Sequence, residues 1–415
     1  MYVDLHENYR ARPAAREAGE LISACVHCGF CLATCPTYLE SGDERDSPRG
    51  RIYLVKQLLE TGTASARTHT HLDRCLTCRS CETTCPSGVQ YGQLVDIGRG
   101  LMEERVPRSP LDRGRRWLLR AVLPRRHLFT PLLRLGQLVR PLLPQALRIT
   151  VPPRQVPGPT PTRAHSRTML VLDGCVQSAA TPGTNAAARR VLDKLGINLV
   201  SVARAGCCGA VNYHLAAHDA GLDEMRRNID TWWPRIEAGA EAIISTATGC
   251  GSMLADYGKL LADDPAYADK ARRVSSLARD IGEVLLAEDL AGLEADTGVG
   301  RVAVHTPCSL QHGRGLPTLI RDVLHKAGFE LVETAESHLC CGSAGTYSIL
   351  QAATGRRLRD RKLRALCGGR PALIATGNVG CQLHLQTAAD IPVVHWIELI
   401  DPARRGASPP GKPLT

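Results

Sequence analysis

From about residue 166 onward the chain alternates short apolar runs with longer stretches whose apolar positions recur at helical spacing. "TMLVLDG" (168–174) has the length and density of a buried strand. "TNAAARRVLDKLG" (184–196) follows with helical periodicity and a terminal glycine that can cap it. "INLVSVA" reads as a second strand, "AGLDEMRRNIDTWWPRIEAGA" as a long helix and "AEAIISTAT" as a third strand. The order then recurs in "GRVAVHT", "LPTLIRDVLHKAG", "FELVETA" and "PALIATG". Strands alternating with helices predict βαβ units and a largely parallel sheet in each copy.

The rest of the chain has other patterns. With 415 residues it exceeds one compact core. The reading is a multidomain α+β or α/β protein: a helical, cysteine-bearing region over 1–100, a basic helical region with a proline-rich linker over 101–165, and the two α/β copies over 166–295 and 296–400. The middle region, "RGRRWLLRAVLPRRHLFTPLLRLGQLVRPLLPQALR", sets Leu and Val at helical spacing among arginines. "VPPRQVPGPTP" has the composition of a linker.

Cysteine changes the picture most, with 17 residues. The N-terminus mixes charges without an apolar stretch, so no secretory signal is expected, and no apolar run approaches the length of a membrane span. In a reducing compartment so many thiols read as metal ligands, and an odd number cannot all pair. "CVHCGFCLATCP" (25–36) and "CLTCRSCETTCP" (75–86) both have the form C-x2-C-x2-C-x3-C-P, the spacing of bacterial iron–sulfur ligation. Three thiolates on a tight loop can face one cluster. The fourth is expected on a following helix, aimed at the neighbouring cluster, with the proline ending the loop. Cys25, Cys28, Cys31 and Cys85 are therefore expected to hold one [4Fe–4S] cluster, and Cys75, Cys78, Cys81 and Cys35 a second. Zinc also takes four cysteines, but usually in two C-x2-C pairs. His27 is expected beside the first cluster or in solvent. Arg49 and Arg51 either pair with the negative clusters or face water.

The two α/β copies repeat their cysteines. Cys175 and Cys308 are 133 residues apart, as are Cys207 and Cys340, while 131 separate Cys250 from Cys381. Each copy carries one Cys, a Cys-Cys-Gly and a further Cys, all just past a predicted strand, the edge where open α/β sheets place ligands. Cys175, Cys207, Cys208 and Cys250 are one candidate set for a further cluster; Cys308, Cys340, Cys341 and Cys381 are another. Adjacent cysteines with a glycine beside them suit ligation of neighbouring metal atoms or a close approach of cluster to backbone. Cys367 has no counterpart and is expected to be structural. His214, His305, His338 and His384 lie near these cysteines, with His384 favoured by its place three residues after Cys381.

The formal charge of +10 favours an acidic partner. The middle region offers two readings, a basic amphipathic face on anionic lipid or helices packed on the clusters or a partner subunit, the second being favoured. Few stacking aromatics and no recognised motif speak against nucleic acid. No G-x-G-x-x-G follows a strand and no G-x-x-x-x-G-K-[ST] occurs, so no flavin, nicotinamide or nucleotide site is expected here. Electrons must then arrive from another polypeptide.

The two four-cysteine motifs followed by two Cys-Cys-Gly modules resemble the iron–sulfur subunits grouped with heterodisulfide reductase. "ACVHCGFCLATCPTY", "SPRGRIYLVKQ", "HLDRCLTCRSCETTCPSGV", "AGCCGAVNYHL", "SHLCCGSAGTY", "VGCQLHL" and "VVHWIELI" are similar to the iron–sulfur subunits of bacterial glycolate oxidase. That resemblance covers nearly the whole chain and weakens in the basic middle region. It implies an electron-transfer subunit, with glycolate oxidised to glyoxylate at FAD in partner subunits and electrons passed to a membrane acceptor such as a quinone. It also implies a cytoplasmic location, free or peripheral on the inner face of the membrane. Related readings are the equivalent subunit for lactate or glycerol 3-phosphate oxidation, or a disulfide reductase. The disulfide-reducing module ends in C-x2-C, whereas this chain has "CGSM" from Cys250 and "CQLH" from Cys381, with Met253 and His384 in place of the second cysteine. That departure favours an ordinary four-cysteine cluster or a simple electron relay.

Overall fold

The structure, a computed structural model, describes residues 1–290, 293, 295 and 297–404. In the N-terminal part, helices Pro13–Ser23, Pro48–Thr61 and Tyr91–Arg105 carry the longest buried faces. Tyr9, Ile22, Val55, Leu58, Leu94 and Met102 form their common core, and Cys25, Cys75 and Cys81 belong to it. The start of Pro48–Thr61 is set locally: the Ser47 hydroxyl accepts from the Gly50 N–H, and Pro48 occupies a position whose N–H would be unpaired anyway. Gly62, at φ 67°, closes the same helix.

Two four-stranded sheets follow. The first has strands β1 (Arg167–Val171), β2 (Ile197–Ser201), β3 (Ile243–Ser245) and β4 (Ala278–Asp280) in the order β2-β1-β3-β4. The second has β5 (Val302–His305), β6 (Leu331–Val332), β7 (Leu373–Thr376) and β8 (Val393–His395) in the order β6-β5-β7-β8. Every pairing is parallel, as the alternation predicts. Each sheet holds one strand more than the three read as strands in each copy. β4 and β8 have three residues each, and "ARD" carries no strand pattern of its own.

The sheets lie back to back. Met169 and Val171 of β1 share one core with Val302 and Val304 of β5, Leu373 of β7 and Trp396. The alternate residues face away from that core: Leu170 and Leu172 pack with Cys175, Cys207 and Cys208, and Ala303 packs with Cys341 and Cys381. Strand alternation thus assigns one face of each sheet to joining the copies and the other to the cysteines.

Helices Pro110–Val122 and Arg126–Val139 form the middle region. Trp117, Leu118, Leu132, Leu135 and Leu138 are exposed on them, so within the chain this apolar stripe does not pack on the clusters. Of the favoured expectation, packing on the clusters or a partner subunit, the partner surface is what the stripe leaves. Among the described residues no helix is long and apolar enough to cross a membrane.

Candidate metal centres

The two four-cysteine motifs fold into matched loops. His27 and Gly29 have φ of 57° and 85°, and Thr77 and Arg79, at the same places in the second motif, have 51° and 61°. This left-handed pair curls each loop so that its cysteines turn to one side. At Thr77 and Arg79 a side chain must tolerate a sparsely populated backbone. Arg79 is anchored there by Glu82 at 2.9 Å and Asp256 at 3.1 Å. The fourth cysteines differ from expectation. Cys35 precedes its helix, which Pro36 begins, and Cys85 ends helix Ser80–Thr84 instead of riding on a following one. Proline fits the first turn of a helix because its missing N–H has no partner there in any case.

Cys25, Cys28, Cys31 and Cys85 line one cavity together, with Arg49 and His27 at its wall. Cys35, Cys75, Cys78 and Cys81 line a second with Arg51 and Tyr91, and Cys81 also borders the first. The fold therefore gathers the cysteines across the two motifs in the crossed sets that the spacing predicts. Burial raises the Cys31 thiol to about 11 and pushes Cys78 and Cys81 well up. Thiolates in such places need a nearby cation or metal. Arg51, 1% exposed, supplies one positive charge. Its Nε donates to the His71 carbonyl, Nη1 and Nη2 donate to Thr37 Oγ1, and Asp46 lies 3.5 Å away. Thr37 Oγ1 in turn contacts the Cys35 sulfur at 3.3 Å. Four converging sulfurs and a buried guanidinium fit an anionic iron–sulfur cluster.

In the α/β copies Cys175 Sγ donates to Cys207 Sγ at 3.6 Å, and Cys308 Sγ to Cys340 Sγ at 3.8 Å. The Cys175 thiol is raised, first by that contact, and Cys207 is lowered by hydrogen bonds from Cys175 and Cys208. The glycine after each Cys-Cys pair has a different reason from the one its sequence suggests. Gly209 and Gly342 have φ of 94° and 84°, and an added Cβ would stand 2.8 Å from the Gly221 carbonyl oxygen and 2.6 Å from that of Gly355. The close approach is to the backbone of the next long helix, glycine to glycine in both copies.

A cavity of about 340 Å³ joins these elements. Cys75 and Cys78 reach it from the N-terminal part, all four first-copy cysteines from one sheet, and Cys308, Cys340 and Cys381 from the other. The contact is held by Arg79–Asp256, by Thr83 Oγ1 with His312 Nδ1 at 2.9 Å, and by His214 Nδ1 with Asp96 Oδ2 at 3.0 Å. Leu76, Cys340, Tyr347 and Leu358 form a small apolar cluster there, with Cys78 and Cys308 packed against it.

The remaining residues divide. Met253 is buried and lines the large cavity with the first-copy cysteines. His384, the favoured histidine, instead turns Nε2 to the Gly355 carbonyl. His338 accepts from His312 through its carbonyl oxygen. His305 is the histidine near sulfur: a ring nitrogen lies within 4.8 Å of the Cys341 and Cys381 sulfurs. Cys367 is exposed, not a buried structural thiol. Arg99 lines the large cavity and donates to the Leu72 and Cys75 carbonyls. Its only signal in the sequence is the Asp96/Arg99 pair on an otherwise apolar helix face.

Comparison with known proteins agrees with this architecture. A family described as 4Fe-4S dicluster domain matches residues 21–89, and one described as Cysteine-rich domain matches 169–255 and 302–386. The chain is 51% identical over 404 residues to the "Glycolate oxidase iron-sulfur subunit" of Escherichia coli (strain K12), covering 97% of this chain and 99% of that one. It is 30% identical over 430 residues to the "Probable glycolate oxidase iron-sulfur subunit" of Bacillus subtilis (strain 168), covering 92% and 94%. "Lactate utilization protein A" of the latter organism is 24% identical over 221 residues, covering 51% of this chain and 89% of that one.

Proposed function

Because the chain belongs to the family of glycolate oxidase iron–sulfur subunits, we propose that it receives electrons from FAD-bearing partner subunits that oxidise glycolate to glyoxylate and delivers them to a membrane acceptor, a quinone. The observation that carries this reading is the gathering of eight N-terminal cysteines into two crossed sets, the second of which abuts Cys308 and Cys340. In this reading Cys25, Cys28, Cys31 and Cys85 hold one [4Fe–4S] cluster, Cys75, Cys78, Cys81 and Cys35 hold another, and Cys175, Cys207, Cys208 and Cys250 hold a further centre. When bound, a cluster of this type takes up and releases one electron at a time.

The protein's own residues set the conditions for that chemistry. Arg51 and Arg49 offset the negative charge of the N-terminal sets. Cys78 and Cys308 pack against the apolar cluster around Leu76 and Tyr347 at the edge of the large cavity. Arg79, bound to Asp256, holds the second loop against the first α/β copy. The N-terminal region of 1–100 and the first copy of 166–295 then act as one conductor, on the cytoplasmic face of the membrane. The replacement of the second cysteine of C-x2-C by Met253 and His384 speaks against disulfide reduction.

The test is anaerobic mixing of this chain with its FAD-bearing partner subunits and glycolate, followed by low-temperature electron paramagnetic resonance. Reduced-cluster signals that need both glycolate and the partners support the proposal. Signals that grow with lactate and not with glycolate would replace it with the lactate reading.

A further inference from the structure

The two α/β copies are not equivalent at their metal-binding edges. His305 stands at the C-terminal end of β5, 133 residues after Leu172, so the first copy has a leucine where the second has an imidazole. By strand alternation His305 shares its face with Ala303, which packs among Cys341 and Cys381. The imidazole is 2% exposed, and its Nε2 has no hydrogen-bond partner among the described residues. A buried, unpaired ring nitrogen is costly and calls for a ligand. A ring nitrogen of His305 and the sulfurs of Cys341 and Cys381 all lie within 4.8 Å of one another. Among the described residues no three cysteines of the first copy, or of the N-terminal sets, form so tight a group.

We propose that the second copy binds a single thiophilic divalent cation of the zinc class through His305, Cys341 and Cys381. Zinc bonds of about 2.0–2.1 Å to nitrogen and about 2.3 Å to sulfur set tetrahedral ligand atoms roughly 3.5–3.8 Å apart, within the 4.8 Å that encloses these three atoms. Thiolates on separate irons of a cubane stand farther apart. One imidazole with thiolates is a donor set that suits zinc. Cys340 Sγ, 3.8 Å from Cys308 Sγ, lies outside this group, and the fourth position is left to a small exogenous ligand such as water. The surroundings suit thiolates: Asn378 Nδ2 donates to the Cys381 sulfur at 3.5 Å, and buried Lys362 lies beside the group, held by the Glu336 carbonyl at 2.6 Å. A redox-inert ion would tie the loops after β5, β6 and β7 together rather than carry electrons. The two copies would then divide their work, the first serving electron transfer and the second holding the fold.

The experiment is zinc and iron analysis of the full-length chain after anaerobic purification and a chelator wash, for wild type, His305→Leu and His305→Cys. Protein from cobalt-supplemented growth is examined in parallel for cobalt–thiolate charge-transfer absorption. The expected result is about one zinc per wild-type chain. His305→Leu, which copies the first module, should lose at least tenfold in zinc occupancy with iron unchanged. His305→Cys should keep the metal and shift the cobalt spectrum, so the proposal stays testable if the leucine variant does not fold. Wild type without zinc, zinc unaffected by His305→Leu, or loss of iron in its place would each overturn the assignment. The readout is metal content and is independent of the glycolate reading.

Discussion

Arg51 is a guanidinium buried to 1% exposure beside the second cysteine set. It is buried against Asp46 Oδ1, which also meets His71 Nδ1 at 2.8 Å, while Asp46 Oδ2 accepts from Arg74 Nη1 at 2.9 Å. Removing one member of a buried charged network leaves the others uncompensated, at a cost of about 3–5 kcal/mol. Arg51→Met is expected to lose about that much in chemical denaturation and to move the midpoint potential of one N-terminal cluster to more negative values in a redox titration, because reduction adds negative charge that the guanidinium no longer offsets. Asp280 supplies a pH-dependent case far from the cysteines. Burial raises its carboxyl to about 7, against partial relief from the Gly282 N–H. The ordinary value is about 4. The folded state therefore holds this proton more tightly than the unfolded chain, and the stability it brings is full below pH 4 and lost as the pH rises through 7. Asp280→Asn keeps a side-chain cap and has no proton to lose. Its stability relative to wild type should grow by about 1 kcal/mol per pH unit between pH 5 and 7, then level off. Urea denaturation across that range checks it, and a constant difference would contradict the assignment.

The Cys-Cys-Gly turn is the element on which the α/β copies depend. In Gly342→Ala a methyl group would meet the Gly355 oxygen at 2.6 Å and Leu358 Cβ at 2.8 Å, on a backbone that already disfavours side chains. A loss of about 3 kcal/mol or more is expected, with displacement of Cys341. Gly345→Ala, at φ 62° with nothing within 4 Å, should cost about 1 kcal/mol in the same thermal denaturation series. Equal losses would mean that φ alone, and not the approach of the two helical glycines, selects glycine here. The cysteine sets were legible in the sequence because ligation constrains spacing over a few residues, and the 133-residue offsets carried that constraint into the repeat. The parallel sheets were legible because both faces of their strands are buried. β4 was not, since three residues of which one is exposed carry no periodicity. His305 could not be singled out, because its neighbours Cys341 and Cys381 come from segments after other strands, and only the pairing of β5 with both β6 and β7 brings them together. His384 had the closer spacing, but its Nε2 is turned to the Gly355 carbonyl at 3.1 Å.

At the scale of the molecule, charge and apolar surface coincide outside the cysteine-bearing parts. Residues 110–148 contain nine arginines and a single acidic residue, Asp112. Among them Trp117, Leu118, Leu132, Leu135 and Leu138 face outward, Leu138 being 77% exposed. Basic side chains around an apolar stripe match the chemistry of an anionic lipid surface. The chain is expected to float with vesicles containing anionic lipid and not with zwitterionic ones, to be released by high salt, and to bind less well as Leu135→Ser/Leu138→Ser. Binding that ignores both salt and lipid charge would assign the stripe to a partner subunit. More fundamental than this surface is the identity of the two N-terminal centres as iron–sulfur clusters. The direct measurement is iron and acid-labile sulfide per chain after anaerobic purification. The account predicts at least about eight of each, the content of two [4Fe–4S] clusters, rising to about twelve with the first α/β copy loaded. A chain that carries zinc at the N-terminal cysteines, with neither iron nor sulfide, would contradict it.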